Sequence, residues 1–169
     1  PAASADVNYG GLVVSSIAAS NVDDDVPGSA FQLEGTDYLN ITGMQVTSDG
    51  SLYVTGWFTA TADFDPGPGS VALTSPLNSS SGFIARYSPS QELLWVRQFG
   101  ATGSNTFSQS LAVDSTGNPY IAGNTSSLTL TLGSTVLTNQ GLNTNDAFAA
   151  KLDGNGNFIW ARSWGSTGS

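Results

Sequence analysis

Residues 43–56 read GMQVTSDGSLYVTG, and residues 110–123 read SLAVDSTGNPYIAG. Val46 matches Val113, Gly50 matches Gly117, Tyr53 matches Tyr120 and Gly56 matches Gly123, always 67 residues apart. In each copy two short apolar runs flank a turn, Ser48-Asp49-Gly50 in the first and Ser115-Thr116-Gly117-Asn118 in the second. Such a corner needs positive φ, which glycine adopts without steric cost, so each copy is predicted to be a β-hairpin.

A second pair of segments repeats downstream. GFIARYSPSQELLWVRQFG (82–100) matches AFAAKLDGNGNFIWARSWG (147–165), pairing Phe83 with Phe148, Trp95 with Trp160, Phe99 with Trp164 and Gly100 with Gly165 at a spacing of 65. The two-residue slip falls mid-repeat, where loops change length cheaply. All four basic residues keep register: Arg86 corresponds to Lys151 and Arg97 to Arg162. Both Arg97 and Arg162 stand two residues past a Trp, so on a strand each shares a face with that indole. The expected use is structural rather than ligand-binding: a guanidinium packed beside the indole or paired with a carboxylate of the next unit.

Each repeat therefore reads as four principal strands with an insert. The first has strands near 41–47, 51–58, 83–88 and 92–99; the second near 109–114, 118–124, 147–152 and 157–164. The inserts carry smaller hairpins, Ala62-Asp63-Phe64 with Val71-Ala72-Leu73 and Leu130-Thr131-Leu132 with Val136-Leu137, turned by Gly69 and Gly133. Gly, Ser, Thr and Asn are abundant and strong helix formers scarce, so the fold class is all-β.

The 169 residues hold 4 Lys+Arg against 13 Asp+Glu, a net charge of -9, with no His and no Cys. His-based triads, thiol nucleophiles, ordinary zinc sites and disulfides are thereby excluded. So few cations offer no footprint for nucleic acid. Apolar runs fall far short of the roughly 20 residues a helical span needs, so no membrane insertion is expected. The start at Pro1 suggests a mature form or an excised piece.

The combined pattern of V-x-S/D-x-G-x-x-Y-V/I-x-G, an insert, and F-x-A-R/K through W-x-R-x-F/W-G resembles bacterial β-propeller repeats of the SBBP type, over about residues 40–169. Asp63-Phe64-Asp65-Pro66-Gly67-Pro68-Gly69 is similar to an insert motif of secreted bacterial members. The resemblance implies four-stranded blades, secretion and no catalysis. Pro119 and the glycine-free Ser90-Gln91-Glu92 depart from the pattern.

The expected architecture is a β-propeller-like repeat of about two and a half four-stranded antiparallel blades. It divides into an N-terminal segment (1–38; half blade or donor strand), one blade at 39–104 and another at 105–169. A propeller needs about 4–8 blades, and repeat units bury their core only against neighbours. The chain is then a fragment of a longer propeller, a contributor to a ring of copies, or a unit of a head-to-tail filament. Tyr9, Leu12, Val13, Val14 and Ile17 form the apolar stretch expected to pair in β-fashion with another copy.

Asp23, Asp24 and Asp25 are the calcium candidate, since calcium gathers 6–8 oxygens; the competing reading is a solvated acidic loop. No cofactor is required. Asp63 with Asp65, and Asp153-Gly154-Asn155-Gly156-Asn157, read better as turns than as chelating sites. Trp57 and Phe58 correspond to Asn124 and Thr125, so the repeat does not demand them. They are the candidates for stacking on a sugar ring or partner, against a reading as packing. The leading expectation is a non-catalytic, secreted or cell-surface protein that self-associates, ahead of a carbohydrate- or protein-binding module. Only a glycosidase carboxylate pair was available to an enzyme, and Glu34 and Glu92 occupy unrelated slots.

Overall fold

The computed structural model describes residues 32–139, 141 and 144–166, and among them every regular element is a β-strand. The thirteen strands are β1 (Glu34–Gly35), β2 (Leu39–Val46), β3 (Leu52–Phe58), β4 (Thr61–Asp63), β5 (Ala72–Thr74), β6 (Ser81–Tyr87), β7 (Leu93–Phe99), β8 (Thr106–Val113), β9 (Pro119–Thr125), β10 (Thr129–Leu132), β11 (Thr135–Thr138), β12 (Asp146–Leu152) and β13 (Phe158–Trp164). Eight of them form two antiparallel four-stranded sheets, β2-β3-β6-β7 and β8-β9-β12-β13, the same topology twice, and the other five form the smaller sheets β1-β4-β5 and β10-β11. The two larger sheets are the two blades the repeat predicts.

The turns repeat as well. Gly50, Gly117 and Gly156 take φ of 79°, 80° and 79°, and the fourth corner is held at φ 68° by Gln91 in place of glycine. Side chains brace the loops: Asp114 Oδ1 accepts from the backbone N–H groups of Thr116 and Asn118, and Asp153 Oδ1 does the same for Asn155 and Asn157.

Gly56 and Gly123 have a different cause. The inner strand of each blade bulges, between Ile41 and Gly43 and between Ser108 and Ser110. Each bulge brings a carbonyl over the glycine: a Cβ would lie 1.8 Å from Asn40 O at Gly56 and 1.9 Å from Phe107 O at Gly123. No side chain fits there.

The inserts differ from expectation in detail. Gly133, at φ 62°, turns the tight β10–β11 hairpin, whereas a longer excursion joins β4 to β5 instead of a turn at Gly69. In that excursion Asp63 Oδ1 accepts from Asp65 and Val71 N–H, and Asp65 Oδ1 accepts from Gly67 N–H, the Asx chemistry expected of it. Strand β1, just ahead of the first blade, pairs with β4 and makes that insert three-stranded.

Two apolar layers result. Ile84 and Phe99 of blade 1 meet Ile121, Phe148, Ala150 and Leu152 of blade 2, with Leu130, Leu132 and Leu137 of the insert wedged in. Val54, Phe58, Phe83, Ala85 and Tyr87 line the other face of blade 1, covered by Ala62 and Phe64 of its insert. We term the face of blade 1 against blade 2 its rear face, and the face of blade 2 that receives it the front.

Candidate functional site

The contact between blades is built largely by side chains reaching for backbone carbonyls. Trp95 and Arg97 alternate on β7 and so share the rear face of blade 1, where the guanidinium lies 5.6 Å from the indole centroid. Both donate to the β12–β13 turn: Trp95 Nε1 to Gly154 O at 2.9 Å, Arg97 Nε to Gly156 O at 2.9 Å and Arg97 Nη2 to Asn155 O at 3.0 Å. Arg86 Nη1, from β6, also donates to Gly154 O at 3.0 Å. The turn fits because Gly156 has no Cβ; one there would stand 2.8 Å from the indole. The expected stacking on the indole is present, but the acceptors are carbonyls rather than carboxylates.

Nearer the inner strands, Tyr53 OH donates to Gly117 O at 2.8 Å. The Gln45 amide both accepts from Val113 N–H and donates to Val113 O. The hydroxyls of Thr55 and Ser108, both fully buried, meet at 2.7 Å. Such contacts fix register, because each is satisfied in only one alignment.

A cleft of about 380 Å³ opens between the two inner turns, lined by Asp49, Arg86, Asp114 and Gly154 among others. Hydrogen bonds from the Thr47 hydroxyl and Ser51 N–H hold the Asp49 carboxyl below the usual range. The Asn118 N–H, followed by the Thr116 hydroxyl, holds Asp114 far below it. Lys151 is pushed up, first by Tyr120 and then by Asp114. Arg86 pairs with Asp49 and Lys151 with Asp114, each at 3.2 Å. Arg86 thus serves its own blade and the neighbouring one, whereas Lys151 serves its own blade. No group of three or more metal-ligating side chains gathers among the described residues.

Of the residues singled out from sequence, Asp23, Asp24, Asp25, Tyr9, Leu12, Val13, Val14 and Ile17 lie outside the described residues. Trp57 and Phe58 do not form one surface. Adjacent on β3, they point to opposite faces. Phe58 is fully buried against Phe64 and Phe83, which corrects its reading as an exposed stacking ring. Trp57 stays half-buried, edge-on to Phe107 at 5.1 Å and tilted to the exposed Tyr38 at 6.5 Å. Glu34 lies on the two-residue β1 and Glu92 at the β6–β7 turn.

The feature that residue-by-residue reading missed is a second copy of the inter-blade socket. On blade 2, Tyr120 and Trp160 stand edge-on at 6.2 Å, as Tyr53 and Trp95 do at 6.0 Å. Lys151 lies 4.7 Å from the Tyr120 ring centroid, as Arg86 lies 5.3 Å from that of Tyr53. Arg162, exposed, completes the set. The register of the four basic residues was the signal that could have found it.

Residues 94–128 match the family model of the SBBP beta-propeller repeat, a stretch running from β7 through β8 and β9 toward β10. It is the repeat type that the sequence resembles, and the all-β sheets of four strands fit a propeller-like fold. No curated protein matches the chain.

Proposed function

We propose that this propeller-type module is a non-catalytic, extracellular repeat protein that associates with copies of itself through blade contacts to build a larger assembly. The carrying observation is the exposure of one apolar inner-strand face: Ile41, Met44 and Val46 of β2 are 46, 66 and 66% exposed. Their register partners on β8 are Ser108, Leu111 and Val113, and Ser108 is fully buried against blade 1. A blade face of this kind is stable in water chiefly when something covers it. The absence of cysteine and the scarcity of lysine suit a secreted protein. Light scattering and negative-stain imaging test the reading: rings or fibres are expected, and a 17.3 kDa monomer at tens of micromolar would overturn it.

A carbohydrate-binding reading has one specific support, the tilted Tyr38–Trp57 pair with Tyr38 65% exposed. Glycan-array binding lost on Trp57→Ala favours it, and binding that persists removes that site.

A further inference from the structure

We infer that the open rear face of blade 2 is the socket for blade 1 of a second copy, joined head to tail by the contacts that join blade 1 to blade 2 within the chain. This rests on the self-association reading and names the surfaces that carry it.

Both halves of the contact are present on one molecule. The donors recur as Tyr120, Lys151, Trp160 and Arg162. The acceptors recur in the β6–β7 turn of blade 1. Pro89, Ser90 and Gln91 stand where Gly154, Asn155 and Gly156 do, with the same positive φ at the third residue and the same closing bonds, Gln91 N–H to Ser88 O and Gly156 N–H to Asp153 O. By register, Trp160 Nε1 and Lys151 address Pro89 O, Arg162 addresses the Ser90 and Gln91 carbonyls, and Tyr120 OH addresses Gly50 O.

The apolar residues indicate a second copy as the occupant, because the two free faces have changed together. On the rear face, Thr55 and Ile84 of blade 1 become Ala122 and Ala149 in blade 2, which help line a shallow groove of about 200 Å³. On the front face Ser108 becomes the larger Ile41 in blade 1, while the exchange of Leu111 for Met44 conserves volume. The polar Thr55–Ser108 contact inside the chain thus corresponds to an apolar Ala122–Ile41 contact between copies, with lost volume on one side regained on the other. Two positions require adjustment: Gln91 carries a Cβ where Gly156 has none, and Ser110 replaces Gly43, which packs against Leu111. By register the first meets the Trp160 indole, which must shift. The second meets the Cβ and backbone N of Met44; a Cβ at Gly43 would stand 3.2 and 3.4 Å from those atoms of Leu111, so the two strands must part there by a few tenths of an ångström.

Such a contact is heterologous, closing into a ring or continuing as a filament according to its rotation. With the two blades of the described residues from each copy, a closed ring of 4–8 blades takes roughly two to four copies.

The test uses the full chain, with Met44→Asp to spoil the front face and Arg162→Glu the rear. Both residues are exposed, so circular dichroism should match the parent, and so should the melting temperature at a dilution where the parent is itself monomeric. By light scattering the parent should assemble, and each variant alone should be a monomer, or weakened about 10- to 100-fold. Mixed one to one, they should form a dimer and stop, because each retains the face the other lost. If the parent is itself monomeric, self-association and this contact fail together. If the parent assembles but both variants assemble like it, as when residues 1–31 donate a strand, the contact alone is overturned. It is also overturned if only one variant is blocked or the mixture stays monomeric.

Discussion

Arg97 and Arg162 occupy one register position in two blades, so the same substitution can be made twice with only the neighbour differing. Arg97 donates to Gly156 O at 2.9 Å and Asn155 O at 3.0 Å across the blade contact, and to Val96 O within its own. Bonds from a charged donor contribute about 1.5–3 kcal/mol each when enclosed. Arg97 is half-exposed, so the pair is discounted to about 2 kcal/mol in total. Arg162 has no hydrogen bond or ion pair described among the described residues, so Arg162→Ala should stay within about 0.5 kcal/mol. At about 2–4 °C per kcal/mol for a chain of this size, Arg97→Ala should lower the melting temperature by about 4–8 °C and Arg162→Ala by under 2 °C. Differential scanning calorimetry at a dilution where the protein is monomeric reads both. Equal shifts would refute the reasoning, because the contact with the β12–β13 turn would then contribute nothing.

Gly123→Ala places a Cβ 1.9 Å from the Phe107 carbonyl and should cost about 3 kcal/mol or more, read as lost soluble protein or a collapsed melting temperature. Gly117→Ala faces only positive φ, the nearest atom to its Cβ being Tyr53 OH at 3.6 Å, and should cost about 1 kcal/mol. Stability should be flat from about pH 5 to 9. Asp49, Asp63, Asp114 and Asp153 are all depressed by hydrogen bonds, so their contribution is complete above the unfolded carboxyl value of about 3.9 and is lost as pH falls below it. Burial raises Tyr53 and Tyr87, so stability should fall again as pH climbs beyond about 10. Thermal melts across pH check both limbs, and a maximum near pH 4 would contradict the first.

The blades were legible because hairpins write themselves into short sequence. Gly50, Gly117 and Gly156 sit at corners that only a few residue types tolerate, and eight strands follow from what lies between them. Gly56 and Gly123 were legible as a match but not as a cause, since a bulge on the partner strand brings the obstructing carbonyl. The acceptors of Trp95 and Arg97 left no trace of their own, because every residue carries a carbonyl and only the turn decides which ones face outward. The Phe58 half of the Trp57–Phe58 reading failed for a simpler reason: neighbours on a strand face opposite ways, so only one of the two rings can share a surface with Tyr38. Strand β1 pairing with β4 joins segments 27 or more residues apart and depends on where the insert folds.

Whether an Ala–Ile pair can replace the Thr–Ser pair in one geometry can be asked inside a single chain, without any assembly. Thr55→Ala leaves the buried Ser108 hydroxyl short of its partner at 2.7 Å, a cost of about 1–3 kcal/mol. Ser108→Ile alone forces a larger side chain against Thr55 and should cost about 1–3 kcal/mol through overpacking. If Ala122 and Ile41 are the matching pair between copies, the double variant T55A/S108I imports that combination where the backbone geometry is already fixed. The removed hydroxyl and methyl then make room for the added carbons, and the two facing hydroxyls leave together. The bond from Thr55 Oγ1 to Phe83 O at 2.6 Å is lost in Thr55→Ala and in the double variant alike and cancels in the cycle. The double variant should therefore be less destabilised than the sum of the single variants by about 1–2 kcal/mol, measured as a double-mutant cycle in urea. Costs that simply add would mean that the two faces did not change in concert, and the volume argument for a second copy would lose its footing.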